Sequence, residues 1–114
     1  MQDDLFLKII NRELPADIVY EDDDILAFRD INPAAPVHVL VIPKRHIATT
    51  NDLAPDDAEL VGRLVLTAQR IAAQEGVAED GYRLVFNCNE KGGQSVYHIH
   101  LHLLAGRHLD WPPG

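Results

Sequence analysis

The chain has little cysteine and no long apolar run. Cys88 is the only cysteine among 114 residues, so no internal disulfide can form, and the sequence is typical of a reducing compartment. No apolar run approaches the roughly 18 residues that a membrane helix needs. The acidic opening Met-Gln-Asp-Asp lacks a signal-peptide pattern. We therefore expect a cytoplasmic protein with no membrane partner.

Basic residues are also scarce. Ten lysines and arginines stand against 18 aspartates and glutamates, which gives a formal net charge of -8. Proteins that bind polymeric nucleic acid generally present a basic face, so this balance argues against such a partner. A mononucleotide needs only a local binding site, and the overall acidity does not count against one. At 114 residues, the chain predicts one small domain with a modest core.

The most informative segment is His98-Ile99-His100-Leu101-His102, in which histidine recurs at every second position. On a strand, alternate side chains share a face, so three imidazoles would line one surface while the apolar residues face a core. The whole chain has six histidines, and three of them fall in this row. The row is consistent with ordinary strand patterning, with a metal site or with a reaction centre.

A zinc site is one chemical alternative. Two histidines at alternate strand positions can share an ion, but His98 and His102 would lie roughly 13 Å apart at about 3.3 Å per residue. Cys88 is the only thiol, and no second Cys/His pair completes a zinc spacing. Two histidines joined by a distant carboxylate stay open as a geometry.

Chemistry on phosphorus is the other alternative, and the preceding segment Lys91-Gly92-Gly93-Gln94-Ser95 favours it. Two glycines let the backbone approach an anion closely, and the Ser95 hydroxyl adds a donor. A Gly-Gly turn alone is a weak signal, since most such turns only reverse the chain. Beside the histidine row, it predicts a phosphate site next to a nucleophile, because histidine can form covalent intermediates.

The remaining pattern predicts an α+β domain, with a single antiparallel sheet and a long helix on one face. A short helix is expected at Leu5 to Asn11 and the long one at Pro55 to Glu75, where Gly76 supplies the stop. Its predicted buried stripe comprises Leu60, Val61, Leu64, Val65, Ala68, Ile71 and Ala72. Strands are expected at Ile18 to Glu21, Ile25 to Asp30, Val37 to Ile42, Arg83 to Asn87 and Val96 to Leu104.

The segment Gly92 to Leu104, GGQSVYHIHLHLL, resembles the signature of the histidine triad (HIT) superfamily. Phe28 to Pro33, His38 to His46 and the tail Trp111 to Gly114 resemble its Hint branch, the histidine triad nucleotide-binding proteins. The resemblance implies a single HIT domain over residues 1–114, with a five-stranded antiparallel sheet that is extended across a homodimer. It also implies hydrolysis of purine nucleoside phosphoramidates to AMP or GMP and an amine, with no cofactor or metal.

The resemblance further implies roles for individual residues. His100 matches the nucleophile that attacks the α-phosphorus and becomes nucleotidylated, and His102 matches the histidine that contacts the phosphate. Asp30 matches the carboxylate that holds the ribose hydroxyls, although the residues alone are equally consistent with a turn cap. The other matches are the supporting histidines His98 and His38, the phosphate contacts Asn87, Gly93, Gln94 and Ser95, and the nucleoside contacts Ile31, Phe6, Ile9 and Phe28. Ser95 is also expected on the proton route to the leaving amine.

The tail Trp111-Pro112-Pro113-Gly114 is stiffened by two prolines and carries the only tryptophan, unlike a frayed terminus. It is predicted either to border the leaving-group side of the partner's site or to pack on its own domain. Two other functions stay open: a nucleotide-binding regulatory module and a dinucleoside polyphosphate hydrolase of a sister branch, which the Hint-like tail disfavours. His46 and His108 are interpreted as ordinary surface or turn residues, and Cys88 as an inert buried thiol.

Overall fold

The structure, a computed structural model that describes residues 4–114, contains a five-stranded antiparallel sheet in the order β1-β2-β3-β5-β4. The strands are β1 (Ile18–Glu21), β2 (Ile25–Arg29), β3 (Val37–Pro43), β4 (Arg83–Val85) and β5 (Leu101–Ala105). The helices are α1 (Leu5–Ile10), α2 (Ala58–Gln74) and the short α3 (Asn89–Gly92). The predicted α+β class, with a long and a short helix on an antiparallel sheet, is confirmed.

The two faces of the sheet bury separate cores. Helix α2 covers one face, where Ile99, Leu101 and Leu103 pack with the inward side chains of β2 and β3. Helix α1 covers the other face, where Phe6 packs with Phe28 and with the other alternate residues of β2 and β3. The apolar residues between the histidines therefore face α2, as predicted, and the histidines lie on the face of α1.

The long helix begins later than predicted. Residues Pro55–Asp57 form a separate 3-10 turn, because the Asp57 carboxylate accepts the N–H of Ala54 at 2.8 Å and tightens the chain there. Helix α2 then runs to Gln74, and Gly76 at φ 74° ends it in the left-handed conformation that favours glycine. The predicted stop is confirmed, whereas the predicted start is three residues too early.

One member of the predicted helix stripe is wrong. Val65 is 39% exposed, and Thr67 takes a buried place on this face instead. The stripe is centred on Leu64, Ala68 and Ile71, and Val65 points about 100° away from Leu64 because a helix turns once every 3.6 residues.

The histidine row is only partly a strand. Strand β5 begins at Leu101, opposite Val41, and not at Val96 as predicted. Pro43, near the start of the expected pairing, has no N–H to donate to a neighbouring strand. The N–H of Ile99 instead donates to the carbonyl of Ile47 in the following loop at 2.7 Å. Residues 96–100 are therefore held by loop contacts rather than by the sheet.

Other strand ends differ by one or two residues. Strand β4 stops at Val85, which pairs with His102 next to the start of β5, so the predicted extension to Asn87 lies outside the sheet. Strand β2 ends at Arg29, one residue before Asp30. Within residues 4–114, no helix is both long enough and apolar enough to cross a membrane.

Candidate active site

Two neighbouring strands bring predicted histidines together. On β5, His102 lies opposite Leu40 of β3, and on β3 His38 is two residues away from Leu40. The Nε2 atom of His38 lies 2.9 Å from Nδ1 of His102. The rings of His100 and His102 have their centroids 4.8 Å apart. His38, His100 and His102 therefore form one cluster on the face of the sheet covered by α1.

The hydrogen position on His100 follows from its partner. Its Nδ1 lies 2.8 Å from the backbone carbonyl of His98, which can only accept, so Nδ1 carries the hydrogen. Burial lowers the pKa of His100 below its ordinary value, so the neutral ring predominates near pH 7. Nε2 of His100 therefore keeps a free lone pair, as a nucleophile requires.

His38 and His102 are aligned in the same way. The N–H of Ala34 donates to Nδ1 of His38 at 3.0 Å, so the hydrogen of neutral His38 is on Nε2 and is donated to Nδ1 of His102. His102 then carries its own hydrogen on Nε2. Burial lowers the pKa of His102 from 6.5 to about 4 and that of His38 in the same direction, so both rings are neutral near pH 7.

The Nε2 atom of His102 is buried and has no hydrogen-bond partner among the described residues. Nearly all buried polar groups in folded proteins are satisfied, so such a donor calls for an explanation. The ring that carries this donor lies 4.8 Å, between centroids, from the ring of His100 that carries the free lone pair. An anionic oxygen on an atom under attack by His100 is the partner that this pair suits best.

An apolar cavity of about 430 Å³ opens beside the cluster. This volume lies within the range of about 300–1,000 Å³ that is usual for small-molecule sites. Phe6 meets Phe28 edge to face with ring centroids 5.4 Å apart, and its ring lies 5.1 Å from that of His100. Predicted site residues that line the cavity are Phe6, Ile9, Phe28, Asp30, Ile31, Ser95, His100 and His102. Leu5, Leu14, Pro15 and Ala16 also line it and carry no motif in the sequence.

Asp30 forms the turn cap and also lines the cavity, and its ribose contact stays a prediction. Its Oδ1 accepts the N–H of Asn32 at 2.9 Å, which is the predicted turn cap. Its Oδ2 lies 3.6 Å from Nε2 of His38, and the residue lines the cavity. The cap therefore uses one carboxylate oxygen and leaves the other on the side of the histidines.

Asp30, His38 and His102 also offer one potential metal-ligand atom each, all within 4.8 Å of one another. These three residues could hold a metal ion. They differ from the zinc site considered above, which used two histidines of one strand, because His38 and His102 lie on different strands. The hydrogen bond between His38 and His102 occupies nitrogens that an ion would need. In the tautomers assigned above, the same nitrogens join His38 to His102 and leave the Nε2–H of His102 as a donor.

The Gly-Gly segment is more ordered than a plain loop. Residues Asn89–Gly92 form α3, and Gly93 ends it at φ 86° in the left-handed region. The buried Gln94 accepts the N–H of Asn89 at 2.8 Å and donates to the carbonyls of Ala48 and Val96. Its amide therefore shapes the loop that carries Ser95. Asn87, Gly93 and Gln94 are not among the residues that line the cavity, and their phosphate contacts stay predictions.

A family model described as HIT domain matches residues 11–109. The chain belongs to the HIT domain family. An uncharacterized HIT-like protein of Synechococcus elongatus is 59% identical over 99% of this chain and 98% of its own length. The purine nucleoside phosphoramidase of Escherichia coli K12 is 56% identical over 95% of this chain and 91% of its own. A HIT family hydrolase from Legionella pneumophila, known from its crystal structure, is 60% identical in sequence with a TM-score of 0.95. The match covers 96% of this chain and 98% of the Legionella chain. These relatives support hydrolase activity.

His46 is exposed, as the sequence interpretation of this HIT protein has it, but it also makes a contact that was not foreseen. Its Nδ1 lies 3.2 Å from Nδ1 of the fully buried His98, whose Nε2 donates to the carbonyl of Pro43. No pattern in the sequence indicates this contact, because it joins residues 52 positions apart without any motif. Cys88 is half-buried rather than buried, and hydrogen bonds, first of all with the Thr50 side chain, lower the pKa of its thiol.

The tail of the HIT chain is held at its root. Arg83 of β4 donates to the carbonyls of Leu109 at 3.3 Å and Asp110 at 2.7 Å. Trp111 is 81% exposed, so the alternative that it packs on its own domain is wrong. Its predicted place beside a partner's site stays a prediction.

Proposed function

We propose that this HIT protein hydrolyses the P–N bond of purine nucleoside phosphoramidates through a nucleotidyl-histidine intermediate, with release of AMP or GMP and an amine. The observation that carries the proposal is the pair formed by the free Nε2 lone pair of His100 and the unpartnered Nε2–H of His102. The two rings, one with a nucleophilic lone pair and one with a donor for phosphoryl oxygen, are neighbours that line the same apolar cavity. The name of the Escherichia coli relative supports a phosphoramidate as the substrate.

In the first step, Nε2 of His100 attacks the α-phosphorus while the bond from phosphorus to the leaving nitrogen breaks on the opposite side. The Nε2–H of His102 binds a non-bridging oxygen, whose negative charge it stabilises. The leaving nitrogen takes up a proton, and the hydroxyl of Ser95 on the cavity wall is the group that we assign to this transfer. The products are the free amine and a nucleotide bonded to His100.

In the second step, water attacks the same phosphorus and the bond to Nε2 of His100 breaks. One proton of the water restores the hydroxyl of Ser95, the nucleoside monophosphate leaves, and His100 returns to its neutral form. The 2.8 Å hydrogen bond from Nδ1 of His100 to the His98 carbonyl stabilises the positive charge of the nucleotidylated ring. This bond also fixes the ring so that Nε2 faces the phosphorus in both steps.

The cavity supports a purine nucleoside in the same pose. Phe6, Ile9 and Phe28 provide apolar walls against which a flat base can pack. The Asp30 carboxylate can accept hydrogen bonds from both ribose hydroxyls. Base, ribose and phosphate would then follow one another from the apolar walls to the histidine cluster.

We also propose that the protein is a cytoplasmic homodimer in which residues 1–114 form one HIT domain. Strand β4 lies at the end of the sheet order, so its outer edge can pair with a second copy. Val65 and Leu66 on α2 are 39% and 62% exposed, and they supply apolar surface for the contact. The exposed Trp111 would then border the leaving-group side of the partner's site.

The decisive experiment compares His100→Ala with His108→Ala, a control whose side chain is 91% exposed. Amine release from adenosine phosphoramidate should be abolished only in the first variant, and AMP should still bind it within about 1–2 kcal/mol because the other contacts persist. Diadenosine polyphosphate is assayed in parallel. Acid quenching and mass spectrometry should find the nucleotide on His100 of the native protein.

Each rival function predicts a different result. Faster cleavage of diadenosine polyphosphate would favour the dinucleotide hydrolase, and tight AMP binding without turnover of either substrate would favour a regulatory module. An adduct on another residue, or substantial activity in His100→Gly, would overturn the covalent role of His100.

A further inference from the structure

The turn after β5 packs against the loop that leads into β3. Gly106 has φ 95°, and a Cβ atom there would lie 2.8 Å from Cβ of Pro36, so the two segments touch closely. The next residue, Arg107, donates through its guanidinium to the carbonyl of Ala34 at 3.0 Å. This contact joins residues 73 positions apart in the chain. The turn therefore holds the loop at residues 31–36 from outside.

This loop has few hydrogen bonds of its own. Pro33 and Pro36 have no N–H, and most of the residues between Asp30 and Val37 are exposed. Asp30 ties the first part of the loop to the Asn32 N–H. Two hydrogen bonds hold Ala34. Its N–H donates to Nδ1 of His38, and its carbonyl accepts from Arg107.

We propose that Arg107 is a positioning residue, which holds Ala34 so that its N–H fixes His38, and through it His102, with the hydrogen on Nε2. Three hydrogen bonds connect Arg107 to the site. Arg107 donates to the Ala34 carbonyl at 3.0 Å, and the Ala34 N–H donates to His38 at 3.0 Å. His38 in turn donates to His102 at 2.9 Å. The inference about tautomers rests on these contacts, and its consequence for catalysis rests on the proposed function.

The consequence follows from what each ring nitrogen can do. If the Ala34 N–H moves away, His38 can carry its hydrogen on Nδ1, and its Nε2 then becomes an acceptor. His102 would donate to it from Nδ1, and Nε2 of His102 would present a lone pair to the cavity. A lone pair repels a phosphoryl oxygen that the Nε2–H would bind. Arg107 therefore favours a donor over an acceptor at this position, although it does not touch the substrate.

The test is nuclear magnetic resonance of the histidine ring nitrogens in the whole protein at pH 7.5 without substrate. In the native protein, His38 and His102 should each show a protonated Nε2 and an unprotonated Nδ1, with signals assigned from His38→Gln and His102→Gln. In Arg107→Met, we expect the Nδ1–H form to appear in both residues. Arg107→Lys should restore the native pattern in large part, because an ammonium group can also donate to the Ala34 carbonyl.

A matched control is Arg63→Met, since Arg63 lies on α2 and pairs with Asp24 at 3.0 Å, on the other side of the sheet. It should leave the tautomers unchanged. Gly106→Ala is a second variant that disturbs the loop through the close contact with Pro36 while Arg107 stays intact, and it should resemble Arg107→Met. In turnover assays, Arg107→Met should lower kcat by about fivefold, the loss expected when one weak hydrogen bond is removed.

Native tautomers in Arg107→Met would overturn the inference, whatever Gly106→Ala shows. So would equal tautomer changes in Arg107→Met and Arg63→Met. If the tautomers depend on Arg107 but the native protein releases no amine from phosphoramidates, the proposed function fails while the positioning role stands. If phosphoramidates are cleaved and the tautomers of His38 and His102 do not change in Arg107→Met, only the positioning role fails.

Discussion

Acid should destabilise this protein well above the range in which carboxylates titrate, because its site histidines are buried in the neutral form. His98 is fully buried, and burial lowers its pKa from 6.5 to about 4. Between these values the unfolded chain holds a proton on this imidazole and the folded chain does not. Stability is therefore complete above pH 6.5 and falls as the pH falls toward 4.

The size of the loss follows from the shift. Each pKa unit corresponds to about 1.4 kcal/mol, so His98 contributes about 2 kcal/mol of lost stability between pH 6.5 and 5, and about 3 kcal/mol by pH 4. His102 shifts to about 4 as well and adds to the effect. Glu75 and Asp57 have their pKa lowered from ordinary values of 4.5 and 3.8, so their contribution is lost at lower pH. The slope of the free energy of unfolding against pH, between pH 6.5 and 5, therefore reflects the titration of the histidines.

The assay is urea unfolding at pH 7, 6 and 5, at one protein concentration so that any association is held constant. The native free energy of unfolding should fall by at least about 2 kcal/mol over this range. His98→Gln should be less stable at pH 7, but its free energy of unfolding should depend less steeply on pH. The difference in slope should correspond to about one proton fewer taken up on unfolding. His108→Gln, whose side chain is 91% exposed, should keep the native slope. A native protein equally stable at pH 7 and 5, or identical slopes in native and His98→Gln proteins, would refute the reasoning.

Further predictions concern the cavity and the tail. Asp30→Ala should erase most of the preference for ribose over deoxyribose substrates, which we expect at about 1–3 kcal/mol in the native enzyme, and an unchanged ratio of kcat/KM would leave Asp30 as a turn cap only. Phe6→Ala should cost about 3–5 kcal/mol in urea unfolding, because Phe6 is 3% exposed and packs on Phe28, whereas Phe6→Leu should cost less than about 1.5 kcal/mol. Equal costs for the two variants would contradict this packing. Deletion of Trp111 to Gly114 should change selectivity among leaving amines while nucleoside preference holds, and light scattering that finds an active monomer would refute the shared site.

Local patterns predicted the elements of this fold better than their ends. Short apolar runs located all five strands, and Gly76 marked the end of α2, because run length and a positive φ are local properties. The start of β5 was missed by five residues, since Pro43 of the neighbouring strand decides where pairing can begin. Val65 was misplaced because its exposure depends on how α2 is turned over the sheet.

The candidate site divides in the same way. Spacing alone located His98, His100 and His102 on the face opposite the apolar residues, and the motif resemblance added Asp30 and Ser95, which line the cavity with His100 and His102. The contact of His46 with His98 had no signal in the sequence, since it joins a loop to a segment 52 residues later.

The sequence by itself determined which residue types are available, that three imidazoles share a face, and to which family the motifs point, because these depend on composition and on local geometry. The tertiary structure alone decided the state of each imidazole. The carbonyl of His98, the N–H of Ala34 and the buried surroundings assign a hydrogen to one nitrogen of His100, His38 and His102. Hydrogen positions depend on partners that folding brings from distant segments, and no spacing along the chain specifies them.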